Sequence, residues 1–125
     1  MSLILIVEDN EKNLKLVRDV LKVKGYETLE AGTAEDGITI ATEHKPDLIL
    51  MDIQLPGMNG IEALKVLRSQ PATAAIPVIA VTASVMQQDR NQITEAGFDG
   101  YIGKPLNLKE FLEAVRSKLE QRAHE

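Results

Sequence analysis

Pro46-Asp47-Leu48-Ile49-Leu50-Met51-Asp52-Ile53-Gln54-Leu55-Pro56-Gly57 is an apolar run that ends abruptly in a carboxylate and then in turn residues. A short unbroken run such as Leu48 to Met51, fenced by Pro46 before it and Pro56-Gly57 after it, is the mark of a strand buried on both faces of a parallel sheet. Asp52 stands where that strand should surface. In open α/β sheets ligands bind beyond the carboxyl ends of the strands, so a carboxylate at such an end is a candidate for chemistry.

Working outward, Leu3 to Val7 is a run of the same kind and leads into Glu8-Asp9-Asn10, while Val78 to Val81 ends at Thr82 with the small pair Ala83-Ser84 behind it. Tyr26 to Glu30 alternates and reads as an edge strand, and Tyr101-Ile102 reads as a short fifth strand followed by Lys104-Pro105. The intervening stretches carry helical spacing. Asn10 or Asp9 caps a helix from about Glu11 to Lys24, with Leu14, Val17 and Leu21 on its apolar face, and Gly25 stops it. Thr33 caps a second helix with a small-residue face of Ala34, Gly37, Ile38 and Ala41, closed by Lys45-Pro46. Ile61, Leu64 and Leu67 mark a third helix to about Ser69. The fourth, roughly Met86 to Ala96, is thinly apolar, with Ile93 and Ala96 as its spaced anchors after Met86, and a weakly anchored helix is a candidate for movement. Leu108, Phe111, Leu112, Val115 and Leu119 carry the fifth, before a polar tail from Glu120 to Glu125.

Strands that alternate with helices through short connections predict an α/β fold, a doubly wound five-stranded parallel sheet of the flavodoxin-like (βα)5 kind in the order 2-1-3-4-5. That order brings the exits of strands 1, 3, 4 and 5 together. Glu8-Asp9, Asp52, Thr82 and Lys104 are therefore expected to converge on one crevice.

With 125 residues the chain has room for a single domain, expected to span residues 1–125 with no output domain. It has no cysteine, and His44 and His124 are far apart, so thiolate ligands are excluded and a zinc site is not expected. A formal charge of −5 without clustered cations argues against nucleic acid. The apolar stretch from Leu3 to Val7 lacks a basic flank and is too short for a signal peptide or a membrane span, so a cytoplasmic protein is expected. Asp47, at the starting end of its strand, and His44 read as structural and surface residues.

Carboxylates drawn into one small space repel each other unless a cation compensates them. Ligation by oxygen alone points to Mg²⁺ first and Mn²⁺ second. A carboxylate beside such an ion is a competent nucleophile toward phosphorus. Lys104 offers a point charge for phosphoryl oxygens, and the Thr82 hydroxyl can donate to another.

Taken together, Glu8-Asp9, Asp52 within Leu50-Met51-Asp52-Ile53-Gln54-Leu55-Pro56, the Thr82-Ala83 step, Tyr101 and Lys104-Pro105 resemble the receiver domain of two-component response regulators over essentially the whole chain. The wording from Lys45 to Pro56 is most similar to stand-alone receivers of the DivK type. The resemblance implies a phosphoacceptor signalling protein rather than an enzyme acting on other substrates. Asp52 would take a phosphoryl group from a sensor histidine kinase or a histidine phosphotransfer protein. Asp9, Asp52 and the Gln54 carbonyl would coordinate Mg²⁺, with Glu8 acting directly or through water. Thr82 and the aromatic Tyr101 would form the switch, a cis Lys104-Pro105 bond would aim Lys104 inward, and Gln54 and Ser84 would tune phosphate lifetime. A downstream protein would read the face made by the fourth helix, fifth strand and fifth helix of a monomer or weak dimer.

Three rivals make different demands. A flavin-binding electron carrier on the same fold needs a phosphate cradle after the first strand, where Glu8 and Asp9 would repel a phosphate. A phosphohydrolase with an aspartyl nucleophile usually has a second acid two residues on, where this chain has Gln54. A receiver-shaped interaction module that is never phosphorylated would not need the complete residue set.

Overall fold

Buried apolar runs must pair on both edges and be covered on both faces, and this requirement sets the architecture. The computed structural model describes residues 2–82, 87–103 and 107–123. Strands and helices alternate as β1 (Leu3–Val7), α1 (Glu11–Val23), β2 (Glu27–Ala31), α2 (Ala34–His44), β3 (Leu48–Asp52), α3 (Gly60–Ser69), β4 (Val78–Thr82), α4 (Gln87–Ala96), β5 (Gly100–Gly103) and α5 (Leu108–Ala123). The five strands are all parallel, in the order β2-β1-β3-β4-β5. The order matches the expectation from sequence. Each helix carries the chain back to the side where the strands begin, and α5 ends there.

Alternation along the strands divides the apolar side chains between two cores. Leu5, Val7, Ile49, Met51, Val78 and Ala80 face α2, α3 and Ile93 of α4. Ile4, Ile6, Leu48, Leu50, Ile79, Val81 and Ile102 face α1 and α5, where Val17, Leu21, Phe111 and Val115 are buried. Every residue of β3 is buried, which is why Leu48 to Asp52 shows no polar alternation.

Local chemistry sets the ends of the elements. The Asn10 side chain accepts from the backbone N–H groups of Lys12 and Asn13 at 3.0 and 3.1 Å, so Asn10 rather than Asp9 caps α1. Thr33 caps α2 through Asp36 N–H. Asn59 and Glu62 close a capping box at the start of α3. Gly37 lets α2 lie against β1, since a Cβ there would sit 2.8 Å from Val7 Cγ2. Asp47 Oδ2 accepts from Leu3 N–H at 2.8 Å, in keeping with a structural role at the starting edge of the sheet.

Among the boundaries that differ from those read in the sequence, two have a visible cause. Tyr26 is not the first residue of β2, because its N–H turns back to the Leu21 carbonyl at 3.1 Å and belongs to the end of α1. The stretch from Glu120 is not a tail from its first residue, since α5 continues to Ala123. Arg116 pairs with Glu120 one turn on, and Gln121, Arg122 and Ala123 are good helix formers. Among the described residues no helix is long and apolar enough to cross a membrane.

Candidate functional site

β1 and β3 are hydrogen-bonded neighbours, with Val7 opposite Met51, so the residues that follow Val7 meet the end of β3. The Glu8 N–H extends the ladder by one residue to the Ala31 carbonyl at 3.0 Å. Glu8 then turns inward and is only 6% exposed, while Asp9 stays in solvent. Glu8 Oε2 accepts from Asn10 N–H at 3.4 Å, which ties the acid pair to the start of α1. The positive end of that helix dipole favours anions.

Asp52 closes β3 and is 3% exposed. Its Oδ1 accepts from Gln54 N–H at 2.9 Å, and Ile53 N–H donates to the Val81 carbonyl at 3.0 Å. The turn thus fixes the carboxylate against β4. Carboxylate oxygens of Glu8, Asp9 and Asp52 all lie within 4.8 Å of one another. At that range two carboxylates repel by about 3 kcal/mol even at an effective dielectric of ~20. Beneath the buried pair lies an apolar floor of Ile6, Val7, Val17, Leu50, Val81 and Phe111, with a gap of about 10 Å³. That is room for about one water, so solvation from below is slight. A donor set of carboxylate oxygens fits a hard divalent cation better than a soft one.

Thr82 ends β4, is 2% exposed, and stands opposite Gly103 of β5. Tyr101, two residues earlier on β5, stands opposite Ala80. By strand alternation Ala80, Thr82 and Tyr101 belong to one sheet face, and Ala80 packs in the core that takes in Ile93 of α4. Tyr101 is 43% exposed. The structure therefore brings Glu8, Asp9 and Asp52 together, with Gln54 next along the turn from Asp52, while Thr82 ends the neighbouring strand and Tyr101 lies further back along the edge strand. Ala83, Ser84, Lys104 and Pro105 lie outside the described residues, as does the Lys104-Pro105 bond.

Gly60 escaped the sequence reading, which marked the third helix only by its apolar residues from Ile61. A Cβ on Gly60 would sit 2.6 Å from the Asp52 carbonyl oxygen and 2.9 Å from Ile53 Cα. Gly60 N–H donates to the Ile53 carbonyl at 3.1 Å. The first turn of α3 is thus pressed onto the backbone that carries Asp52. A glycine directly after the Asn59 cap, where any residue could stand, was the available clue.

Comparison with known proteins extends this picture. The family model of the response regulator receiver domain matches residues 4–116. The polar-differentiation response regulator DivK of Brucella anthropi is 46% identical over 116 residues, covering 93% of this chain and 94% of that protein. DivK of Brucella ovis has the same identity and coverage. A CheY-like receiver domain protein from Methanospirillum hungatei superposes with a TM-score of 0.91 at 31% identity, covering 99% of this chain and 98% of the other. The receiver domain of the Pseudomonas aeruginosa sensor histidine kinase PA1611, solved with magnesium coordinated in its active-site cleft, gives a TM-score of 0.89 at 30% identity over 95% and 98% of the two chains. Strand order, acidic mouth and sequence agree, and the chain belongs to the response regulator receiver family.

Proposed function

We propose that this receiver is phosphorylated on Asp52, with phosphohistidine of a sensor kinase or phosphotransfer protein as donor, and that it signals through altered protein affinity in the cytoplasm. The observation that carries this reading is the meeting of Glu8, Asp9 and Asp52 within 4.8 Å on a floor that water barely reaches. Asp9, Asp52 and the Gln54 carbonyl would hold Mg²⁺, with Mn²⁺ as substitute and Glu8 as a direct or water-mediated partner. Bound there, the ion would neutralise phosphoryl oxygens as charge builds on them.

The chain's own residues supply the rest. Gln54 N–H holds one oxygen of Asp52, which orients the carboxylate. An Asp52 oxygen attacks phosphorus as the P–N bond to the donor histidine breaks, and the electron pair of that bond passes to the imidazole nitrogen, which takes up a proton from solvent. The Thr82 hydroxyl donates to one phosphoryl oxygen and the Lys104 ammonium meets another. By the resemblance Pro105 would set the direction of Lys104, Ala83 would leave room behind Thr82, and Gln54 and Ser84 would set the phosphate lifetime. As Thr82 moves toward the phosphoryl group, Tyr101 turns in behind it and the face of α4, β5 and α5 changes for its reader. The common sheet face of Thr82 and Tyr101 supports this coupling.

Incubation with acetyl phosphate and Mg²⁺, followed by intact mass measurement, tests the assignment. Wild type is expected to gain one phosphoryl mass that hydroxylamine removes, and Asp52→Asn to gain none. Equal labelling of the two proteins would overturn it.

A further inference from the structure

Between the end of α1 and the outer turns of α5 lies a cleft of about 310 Å³ lined by Lys24, Tyr26, Lys109, Leu112, Glu113 and Arg116. None of the acids of the receiver site lines it, and its charge has the opposite sign. Three cations face one carboxylate, in a chain whose formal charge is −5. Tyr26 and Leu112 form its floor, both partly buried against the core shared by α1 and α5. Lys24, Lys109, Glu113 and Arg116 form an exposed rim.

The rim cations come from separate places: the C-cap of α1 and two positions two turns apart on α5. Arg116 Nη1 donates to Glu120 Oε1 at 3.0 Å, but both side chains are more than half exposed, at 62% and 59%. An exposed pair one helical turn apart contributes little, and the guanidinium has further N–H donors, so a better anion can recruit it. Compact charge answers such a rim, and a phosphate monoester carries roughly −1.5 to −2 at neutral pH. An aromatic ring answers the floor, since it can lie on Tyr26 and Leu112. The volume falls at the lower end of the roughly 300–1,000 Å³ typical of small-molecule sites.

We propose that this cleft binds a nucleoside monophosphate, with its base against Tyr26 and Leu112 and its phosphate among Lys24, Lys109 and Arg116. Glu113 is placed to accept from a sugar hydroxyl or a base N–H. Binding needs no divalent ion, which separates it from the acidic mouth.

Titration of the full chain with adenosine and guanosine monophosphates in EDTA, followed by calorimetry and by the Tyr26 ring resonances, tests this. One saturable site is expected, with a dissociation constant on the order of 10⁻⁴ M. Lys24→Glu and Arg116→Glu should each weaken it about tenfold or more. Lys109→Ala, the milder change, should weaken it less, and Asp52→Asn should leave it unchanged. The changed rim residues are exposed, so circular dichroism should match wild type, and only Arg116→Glu, which sets like charges one turn apart with Glu120, should melt slightly earlier. No saturation up to about 10 mM, or affinity indifferent to the charge reversals, would overturn the proposal. So would inorganic phosphate binding as tightly as the nucleotide, which would mark general anion attraction, or poly-glutamate binding more tightly, which would assign the cleft to an acidic protein segment.

Discussion

Asp9 is the solvent-facing member of the acidic trio, and its charge bears on two carboxylates held in a poorly solvated recess. Without a divalent ion, Asp9→Asn removes repulsion and leaves the fold otherwise intact, so it is expected to raise stability to urea by about 0.5–1 kcal/mol. Adding Mg²⁺ should raise the melting temperature of wild type and leave Asp9→Asn nearly unmoved, because only a bound ion stabilises through mass action. A variant less stable than wild type in EDTA, or equally responsive to Mg²⁺, would remove Asp9 from the site. Gly60 acts through sterics. Gly60→Ala must displace the Asp52 carbonyl, so a loss of about 1–3 kcal/mol is expected in urea unfolding, together with weaker Mg²⁺ binding by calorimetry. At this scale the acids were legible in the sequence because a carboxylate after a buried run is conspicuous. Gly60 was not, because its constraint is a contact with backbone that no local pattern records.

Arg68, on the last turn of α3, reaches the Ala74 carbonyl at 3.1 Å and the Ile76 carbonyl at 2.6 Å, and its Nη2 meets Asp99 Oδ2 at 2.9 Å. Asp99 Oδ2 also accepts from Val78 N–H at 2.7 Å. One guanidinium thus joins the end of α3, the loop before β4 and the start of β5. Arg68→Ala should cost about 2 kcal/mol in urea unfolding, mostly from the carbonyls left without their donor. Faster amide exchange at Val78 and across β5 is expected, with α1 and β1 unchanged. Uniform change across all elements would mean that Arg68 does not act as a local tie. The elements themselves were readable, since apolar runs, caps and helical spacing are local. The Arg68–Asp99 contact was not, because its partners are 31 residues apart and each alone looks like a surface charge. The end of α5 was misread for a related reason: a polar stretch resembles a tail until an i,i+4 ion pair is seen to continue the helix.

The molecule has two cores on either side of one sheet, and they are not equally committed to holding the fold. Phe111 is fully buried against β1, β3 and β4 strands from α5, whereas Ile93 is the buried anchor of α4 among its described side chains. Phe111→Ala is expected to lower global stability by about 3–5 kcal/mol, measured by urea unfolding. Ile93→Ala should cost less and chiefly speed amide exchange in α4; a larger global loss than Phe111→Ala would refute this ranking. Strand order was legible at this scale because right-handed crossovers and short connections leave few ways to arrange five βα units. One consequence of that parallel winding is practical. β1 sets out from, and α5 returns to, the edge of the sheet remote from Asp52, so a purification tag, fluorophore or surface tether joined ahead of β1 or behind α5 would hang beneath the molecule and leave the acidic mouth open to visitors.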